Sequence, residues 1–407
     1  MIEKRLIDIS RNISSGITPL RSNDEFWTDG TIPWLKTEQL GEKYIFDTNE
    51  HITEKALQEA NVKIFPENTL SIAMYGEGKT RGNVSILKRP MATNQACCNI
   101  ELDEEKVSSE YVYYFLKTQY ENLRGLSSGI RKNLNTNDIK NFVVRLPENL
   151  KTQQSIAAVL SALDKKIALN KQINARLEEM ARTLYDYWFV QFDFPDVDGK
   201  PYKSSGGEMV FDETLKRKIP KGWEVNSLNQ VADIVMGQSP DGASYNLEQE
   251  GTIFFQGSTD FDWRFPNVRQ YTTSPTRFAQ KGDILLSVRA PVGDLNISPF
   301  ECCIGRGLAA LRSKSGSNSF LFYVMKYFKT VFERRNTEGT TFGSITKDDL
   351  HSLKLVAPAD NVLEKYNEIA SKYDEMIFIR SQQSHQLTQL RDFLLPMLMN
   401  GQVSVAE

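Results

Sequence analysis

Residues 70–84 read LSIAMYGEGKTRGNV, and within them Gly78-Lys79-Thr80 has the ending of a phosphate-binding loop. Such a loop needs Gly-x-x-x-x-Gly-Lys-[Ser/Thr] between a strand and a helix, so that backbone N–H groups can cradle phosphate. Ala73 stands at the first glycine position, and RGNVSIL after Thr80 has the character of a turn entering a strand. The stretch therefore predicts a hairpin, with Lys79 and Arg81 as turn cations. The four cysteines form two adjacent pairs, Cys97-Cys98 and Cys302-Cys303. Neither has the C-x₂₋₄-C spacing of a zinc site, and neighbours in a strand point to opposite faces, so they read as buried free thiols. His51, His351 and His385 lie far apart, form no HExxH or similar motif, and read as structural or surface residues. No Gly-x-Gly-x-x-Gly cofactor loop, Gly-x-Ser-x-Gly elbow, or Asn-Pro-Pro-[Tyr/Phe] base-methylation motif occurs. Asp103, Glu104 and Glu105 precede Lys106 without the further carboxylate a metal nuclease requires. These absences favour a binding module.

What remains is a set of turn cations with amides, hydroxyls and aromatics beside them. The earlier part of the chain offers Lys36, Thr37, Gln39, Tyr75, Lys79, Arg81, Arg131 and Lys132. The later part offers Gln256, Ser258, Arg264, Arg289, Arg306, Arg334 and Arg335. Arg and Lys contact phosphates and guanine edges, and Gln pairs with adenine, so these residues are the candidate contacts to double-stranded DNA. The net charge of −3 excludes a purely electrostatic nucleic-acid binder. It leaves room for basic residues gathered on one face.

The elements that must position these residues are written twice. Gly16-Ile17-Thr18-Pro19 recurs as Gly237-Gln238-Ser239-Pro240, and IPWLKTEQL (32–40) is echoed by IFFQGSTDF (253–261). ENTLSIAMYGEG is echoed by KGDILLSVRAPVG, NQACCNIEL by GRGLAALRS, and NDIKNFVVRLP by DDLHSLKLVAP, all in the same order. The second copy has Arg289-Ala290-Pro291 where the first has the Gly-Lys-Thr neighbourhood. A phosphate cradle would hardly be needed by one half of a duplicated fold.

Each copy ends in a long segment with apolar residues at heptad spacing and no internal Gly or Pro before Pro396. In 152–189 the seam runs Leu163, Asn170, Leu177, Leu184 beside a row containing Ile167; in 362–399 it runs Tyr373, Arg380, Leu387, Leu394 beside a row containing Ile377. At 1.5 Å per residue each helix is about 55 Å long. Matched length and pattern predict that the two pair as an antiparallel coiled coil, with the polar seam residues fixing register. The resulting class is mixed α/β (α+β). A first globular domain spans 1–150, a long helix 151–190, an irregular linker 191–220, a second globular domain 221–358, and a second long helix 359–400. At 407 residues, with 40% apolar and 25% charged content, the chain has the size and composition for such globular domains. No apolar run approaches the roughly 20 residues of a membrane helix, and MIEKRLIDIS is no signal peptide, which points to the cytoplasm.

With these residues in place, the chain resembles the specificity subunit of type I restriction–modification systems. The resemblance rests on Gly-x-[Thr/Ser]-Pro near the start of each half, on IPKGWEV opening the second, on QQSIAAVLSALDKKI…LYDYWF, and on LLPMLMNGQV. It implies two target-recognition domains, each reading one half of a split DNA sequence, with two conserved helices as a ruler for the unread spacer. It implies no catalysis and no cofactor in this chain. Two modification subunits would methylate adenine with S-adenosylmethionine, and restriction subunits would use ATP and Mg to translocate and cleave DNA. Another methyltransferase-based defence system, such as phage exclusion or a type II-like enzyme, and a non-DNA coiled-coil scaffold are the alternatives. The first half lacks the Pro-x-Gly-Trp lead-in of the second, and the target sequence is not carried by the resemblance.

Overall fold

Two short motifs, Gly-x-[Thr/Ser]-Pro at each copy's start, show why the sequence repeats. In the computed structural model, which describes residues 1–76, 79–126, 133–337 (side chains to 332) and 344–405, a Cβ on Gly16 would lie 2.1 Å from the Thr93 carbonyl oxygen, and one on Gly237 would lie 2.2 Å from that of Gly305. Backbone passes against backbone at both places, so only glycine fits. The next residue then donates its N–H across the gap: Ile17 to Thr93 O at 2.9 Å, and Gln238 to Ile304 O at 3.0 Å.

The chain forms two compact units, Met1–Leu169 with Gln383–Glu407, and Asn170–Gln382. The first holds a sheet of Ser10–Ser15, Cys97–Leu102, Leu70–Ala73, Val84–Leu87 and Tyr44–Ile45, in that spatial order. The second holds Ala232–Met236, Leu308–Ser313, Ile284–Ser287 and Leu295–Ile297 in the matching order. A second sheet in the first unit places Ile32–Leu35 between antiparallel Glu50–Ile52 and parallel Ala92–Thr93. Its counterpart places Thr252–Phe255 between antiparallel Tyr271–Thr272 and parallel Cys302–Ile304. A two-stranded ribbon closes each copy, Ile2–Arg5 with Val143–Leu146 and Glu224–Ser227 with Lys354–Ala357. The halves are alike in topology, as a duplication requires.

The stretch around Lys79 joins Leu70–Ala73 to the antiparallel strand Val84–Leu87, so it is a hairpin connection. Adjacent strand residues face opposite ways at Cys97 and Cys98, which belong to different apolar clusters. All four cysteines are free and buried, and burial pushes the thiols of Cys97, Cys98 and Cys302 up to about 12, far from nucleophilic.

The first long helix spans Leu150–Tyr185 and continues as a wider turn, Asp186–Val190; the second spans Asp360–Met399. Within the second unit, Asn174 Nδ2 donates to Ser381 Oγ at 3.0 Å, and further along Phe189 packs edge-on against Tyr366 with ring centres 4.8 Å apart. Advancing along one helix means retreating along the other, so the pairing there is antiparallel. Ile377, Leu177 and Asn170 are buried, while Leu184, Tyr373 and Arg380 are half-buried. Within the first unit, Ile156, Ala157 and Leu160 share a core with Leu398 and Met399. Ile167 is buried there, and Leu163, Leu387 and Leu394 are half-buried.

Residues 191–220 differ from an irregular linker. Phe194 stacks on Trp223 and Tyr202 at 4.9 and 4.7 Å, and Phe192, Phe194 and Ile219 join the second unit's core. Met209–Asp212 and Arg217–Pro220 pair as a hairpin. The Gly, Pro and Asp residues that signal irregularity sit in its turns, while the aromatics between them anchor it. Among the described residues, no helix is long and apolar enough to cross a membrane.

Candidate nucleic-acid interface

A polar edge of each domain is built by backbone hydrogen bonds at strand ends. In the first unit, Asn94 N–H donates to Leu35 O at 2.9 Å, Met74 N–H to Ala96 O at 2.8 Å, and Leu134 N–H to Met74 O at 3.1 Å. These bonds bring together the ends of Ile32–Leu35, Leu70–Ala73 and Ala92–Thr93 with the Gly16 motif. The turn Thr37–Gln39, the loop carrying Tyr75, Lys79 and Arg81, and Gln95 therefore converge on one edge. The Thr18 hydroxyl donates to Gln95 Oε1.

The second unit repeats this. Gly305 N–H donates to Phe255 O at 2.8 Å, Val288 N–H to Gly307 O at 2.9 Å, and Ile345 N–H to Val288 O at 2.8 Å. Gln256, the turn Ser258–Asp260, Arg289 and Arg306 gather at the matching edge, and Arg306 N–H reaches Ser239 Oγ at 3.3 Å. Arg289, Arg306 and Gln256 are exposed, and Ser258 is half-buried.

Several side chains do other work as well. Lys36 is half-buried, with its ammonium 2.8 Å from Glu38 and 2.6 Å from Glu50, and these two hydrogen bonds hold its pKa up. Burial works to raise the Glu50 carboxyl, and the bonds from Arg21 and Lys36 outweigh it, leaving it below the usual value. The Arg21 guanidinium lies 3.8 Å over the Trp27 ring and 4.7 Å over that of Trp34, which is buried beneath. A phosphate approaching Lys36 must therefore displace carboxylates. Gln39 Oε1 accepts from Asn49 N–H at 3.1 Å, and the Thr37 side chain is half-buried. Tyr75 is 40% exposed, Lys79 is exposed while its carbonyl accepts from the Tyr120 hydroxyl at 2.6 Å, and Arg81 is half-buried.

Arg264 is the correction. It is 3% exposed, ion-paired to Glu178 on the first long helix and Asp374 on the second, with its guanidinium 4.1 Å over the Phe322 ring. Burial opposes its charge, and the two carboxylates outweigh that, leaving its pKa above the ordinary arginine value. A cation held this way has no surface to offer DNA. Arg131 and Lys132, and the side chains of Arg334 and Arg335, lie outside the described residues.

Arg21, Thr18, Gln95 and Ser239 are edge residues that the sequence reading left out. The repeated Gly-x-[Thr/Ser]-Pro motif was the available signal for Thr18 and Ser239, since its hydroxyl reaches the edge loop in both copies. Among the described residues, no group of three or more His, Cys, Asp or Glu is placed to hold a metal ion.

Two matching domains, each with polar residues gathered at converging strand ends and each packed on a long helix pair, define a tandem recognition protein. Comparison with known proteins gives the family: residues 3–179 and 220–389 match the type I restriction modification DNA specificity domain, and the chain belongs to that family. A Methanocaldococcus jannaschii protein named as the MjaX specificity subunit is 36% identical over 68% of this chain and 62% of its own length. The type I restriction enzyme MjaIX specificity subunit of the same organism is 28% identical over 99% of this chain and 94% of its own. The crystal structure of a type I restriction-modification system S subunit from M. genitalium shares the fold, with TM-score 0.68, 16% identity, and coverage of 98% and 95% of the two chains.

Proposed function

We propose that this chain reads a bipartite DNA sequence for a type I restriction–modification complex, one half-site per recognition domain, and performs no catalysis itself. The observation that carries the reading is the same polar edge built twice, by the same backbone bonds, in two units of matching topology. Donors such as Lys36, Arg289 and Arg306, and amides such as Gln39 and Gln256, suit phosphate and base edges. The long helices, each exceeding one B-DNA turn of about 34 Å, suit a spacer ruler. S-adenosylmethionine, ATP and Mg belong to partner subunits under this reading, with two modification subunits and a set of restriction subunits docking on this chain. The test is co-purification with a modification methyltransferase and methylome sequencing with and without the gene. A bipartite adenine motif should vanish on deletion; an unchanged methylome overturns the proposal.

A further inference from the structure

Lys43 and Arg264 occupy the same place in the two copies. Each follows the 3-10 turn at its reading edge, Thr37–Gln39 or Ser258–Asp260, at the chain spacing that separates Gly16 from Gly237. The Lys43 carbonyl accepts from Ile86 N–H at 2.8 Å, and the Arg264 carbonyl accepts from the equivalent Ile297 N–H at 2.9 Å. From that anchor both side chains leave the recognition domain and reach the long helices. The Lys43 ammonium meets Ser161 Oγ at 2.7 Å, the Tyr114 hydroxyl at 2.9 Å and Glu110 at 3.1 Å. Tyr114 passes the network to Asp164 at 2.5 Å, and Asp164 takes Arg391 of the second long helix at 3.0 Å. Arg264 does the same directly, pairing with Glu178 and Asp374, while Ser319 donates to Asp374 and Lys326 pairs with Glu178. Asp164 and Asp374 sit at matching heptad positions, three residues before Ile167 and Ile377.

Arg264, with one carboxylate on each long helix, tolerates little tilt, because a rotation pulls a buried charge from its partner. Lys43, with Glu110, the Tyr114 hydroxyl and Ser161 of the first long helix around one ammonium, is held by the same kind of network with a single carboxylate. The reading turn lies only a few residues upstream of that fixed point. We infer that Lys43 and Arg264 are positioning residues that fix the angle of each reading edge on the helices beneath it, and so the half-site separation the protein accepts. This rests on the DNA-reading function proposed above. It assigns the selection of spacer length jointly to the helices and to one cation per domain.

The experiment uses the full chain with its modification subunits and a DNA library. Both half-sites are randomised and the spacer is varied by single base pairs, with adenine methylation as readout. Arg264→Met should lower the preference for the native spacer over its one-base-pair neighbours by roughly tenfold while leaving base preferences within each half-site intact. Because that change takes the arginine from between two acids, the triple variant Arg264→Met, Glu178→Gln, Asp374→Asn is made alongside, and Lys43→Met tests the first domain. An unchanged spacer preference in the triple variant overturns the inference. So does loss of base preference in the second half-site at native spacing, which would make Arg264 a structural prop of the domain alone. If the unmutated chain directs no bipartite methylation, the proposed function falls first, and the inference with it.

Discussion

The first recognition domain presents Lys36, Thr37 and Gln39 where the second presents Gly257, Ser258 and Asp260. The backbone beneath is the same 3-10 turn, yet one carries a cation and an amide and the other a small residue and a buried acid. Asp260 is occupied internally, accepting from Gln256 N–H at 2.9 Å. The second edge exposes Gln256, Arg289 and Arg306, while the first carries the half-buried Lys36 and the Arg21–Trp27 stack. Strand order, edge glycines and helix anchors are held in common, and the chemistry facing outward diverges. A scaffold fixed by backbone bonds leaves its edge residues free to vary without loss of fold.

The sharpest way to break that comparison is at the anchors. Arg264→Ala leaves Asp374 with the Ser319 hydroxyl and Glu178 with Lys326 but takes the buried cation from between them, and should cost ~3–5 kcal/mol by chemical denaturation. Lys43→Ala should cost less, about 1–3 kcal/mol, because Glu110 keeps 31% of its side chain in water. Equal losses would mean the two locks are equally dry. Gly16→Ala and Gly237→Ala test what is shared: each drives a Cβ into a carbonyl and should cost ~1–3 kcal/mol, alike in the two units. A neutral result at one site alone would show that the close approach is needed in only one copy.

Arg306→Ala tests what diverges. It should relax reading of the second half-site only and lower the salt slope of DNA binding by about 1. Binding titrations over a salt series check this, and weakened reading of both half-sites would contradict the division. The smallest effect separates lysine from arginine at the anchors. Burial lowers the Lys43 pKa below 10.5, so between its folded value and 10.5 the unfolded chain holds the extra proton. Lys43 should therefore contribute stability that rises with pH through that window, opposite in sign to the loss from the buried Cys97 and Cys98 thiols, and Lys43→Met should remove that rising contribution, read as the difference between variant and unmutated chain in denaturation series. Arg264, charged throughout that window, should make no such contribution in the second unit.

Much of this architecture is legible in the residues. The edge glycines repeat because a carbonyl lies where a Cβ would stand, and the long helices show because 152–189 contains neither Gly nor Pro. The fate of Arg264 is not legible. Phe261-Asp262-Trp263-Arg264 reads as a surface turn, and only acids from Glu178 and Asp374, remote in sequence, bury it. Lys36 likewise looks like a free cation until Glu50, from a neighbouring strand, is placed beside it. Residues 191–220 mislead for a related reason: turn residues dominate the composition, while a few aromatics decide the packing. Local pattern encodes backbone, and long-range partners decide what each charge is for.

The first unit's core includes Leu398 and Met399 beside Leu160 and Leu146. On the ribosome, those two residues emerge only after an entire second domain has been made. Until then the nascent first domain carries an open greasy seat, exposed for the tens of seconds that intervening synthesis takes at ~5–20 residues per second. Interrupted translation would release a fragment with that seat uncovered, an aggregation-prone product that the finished chain never displays.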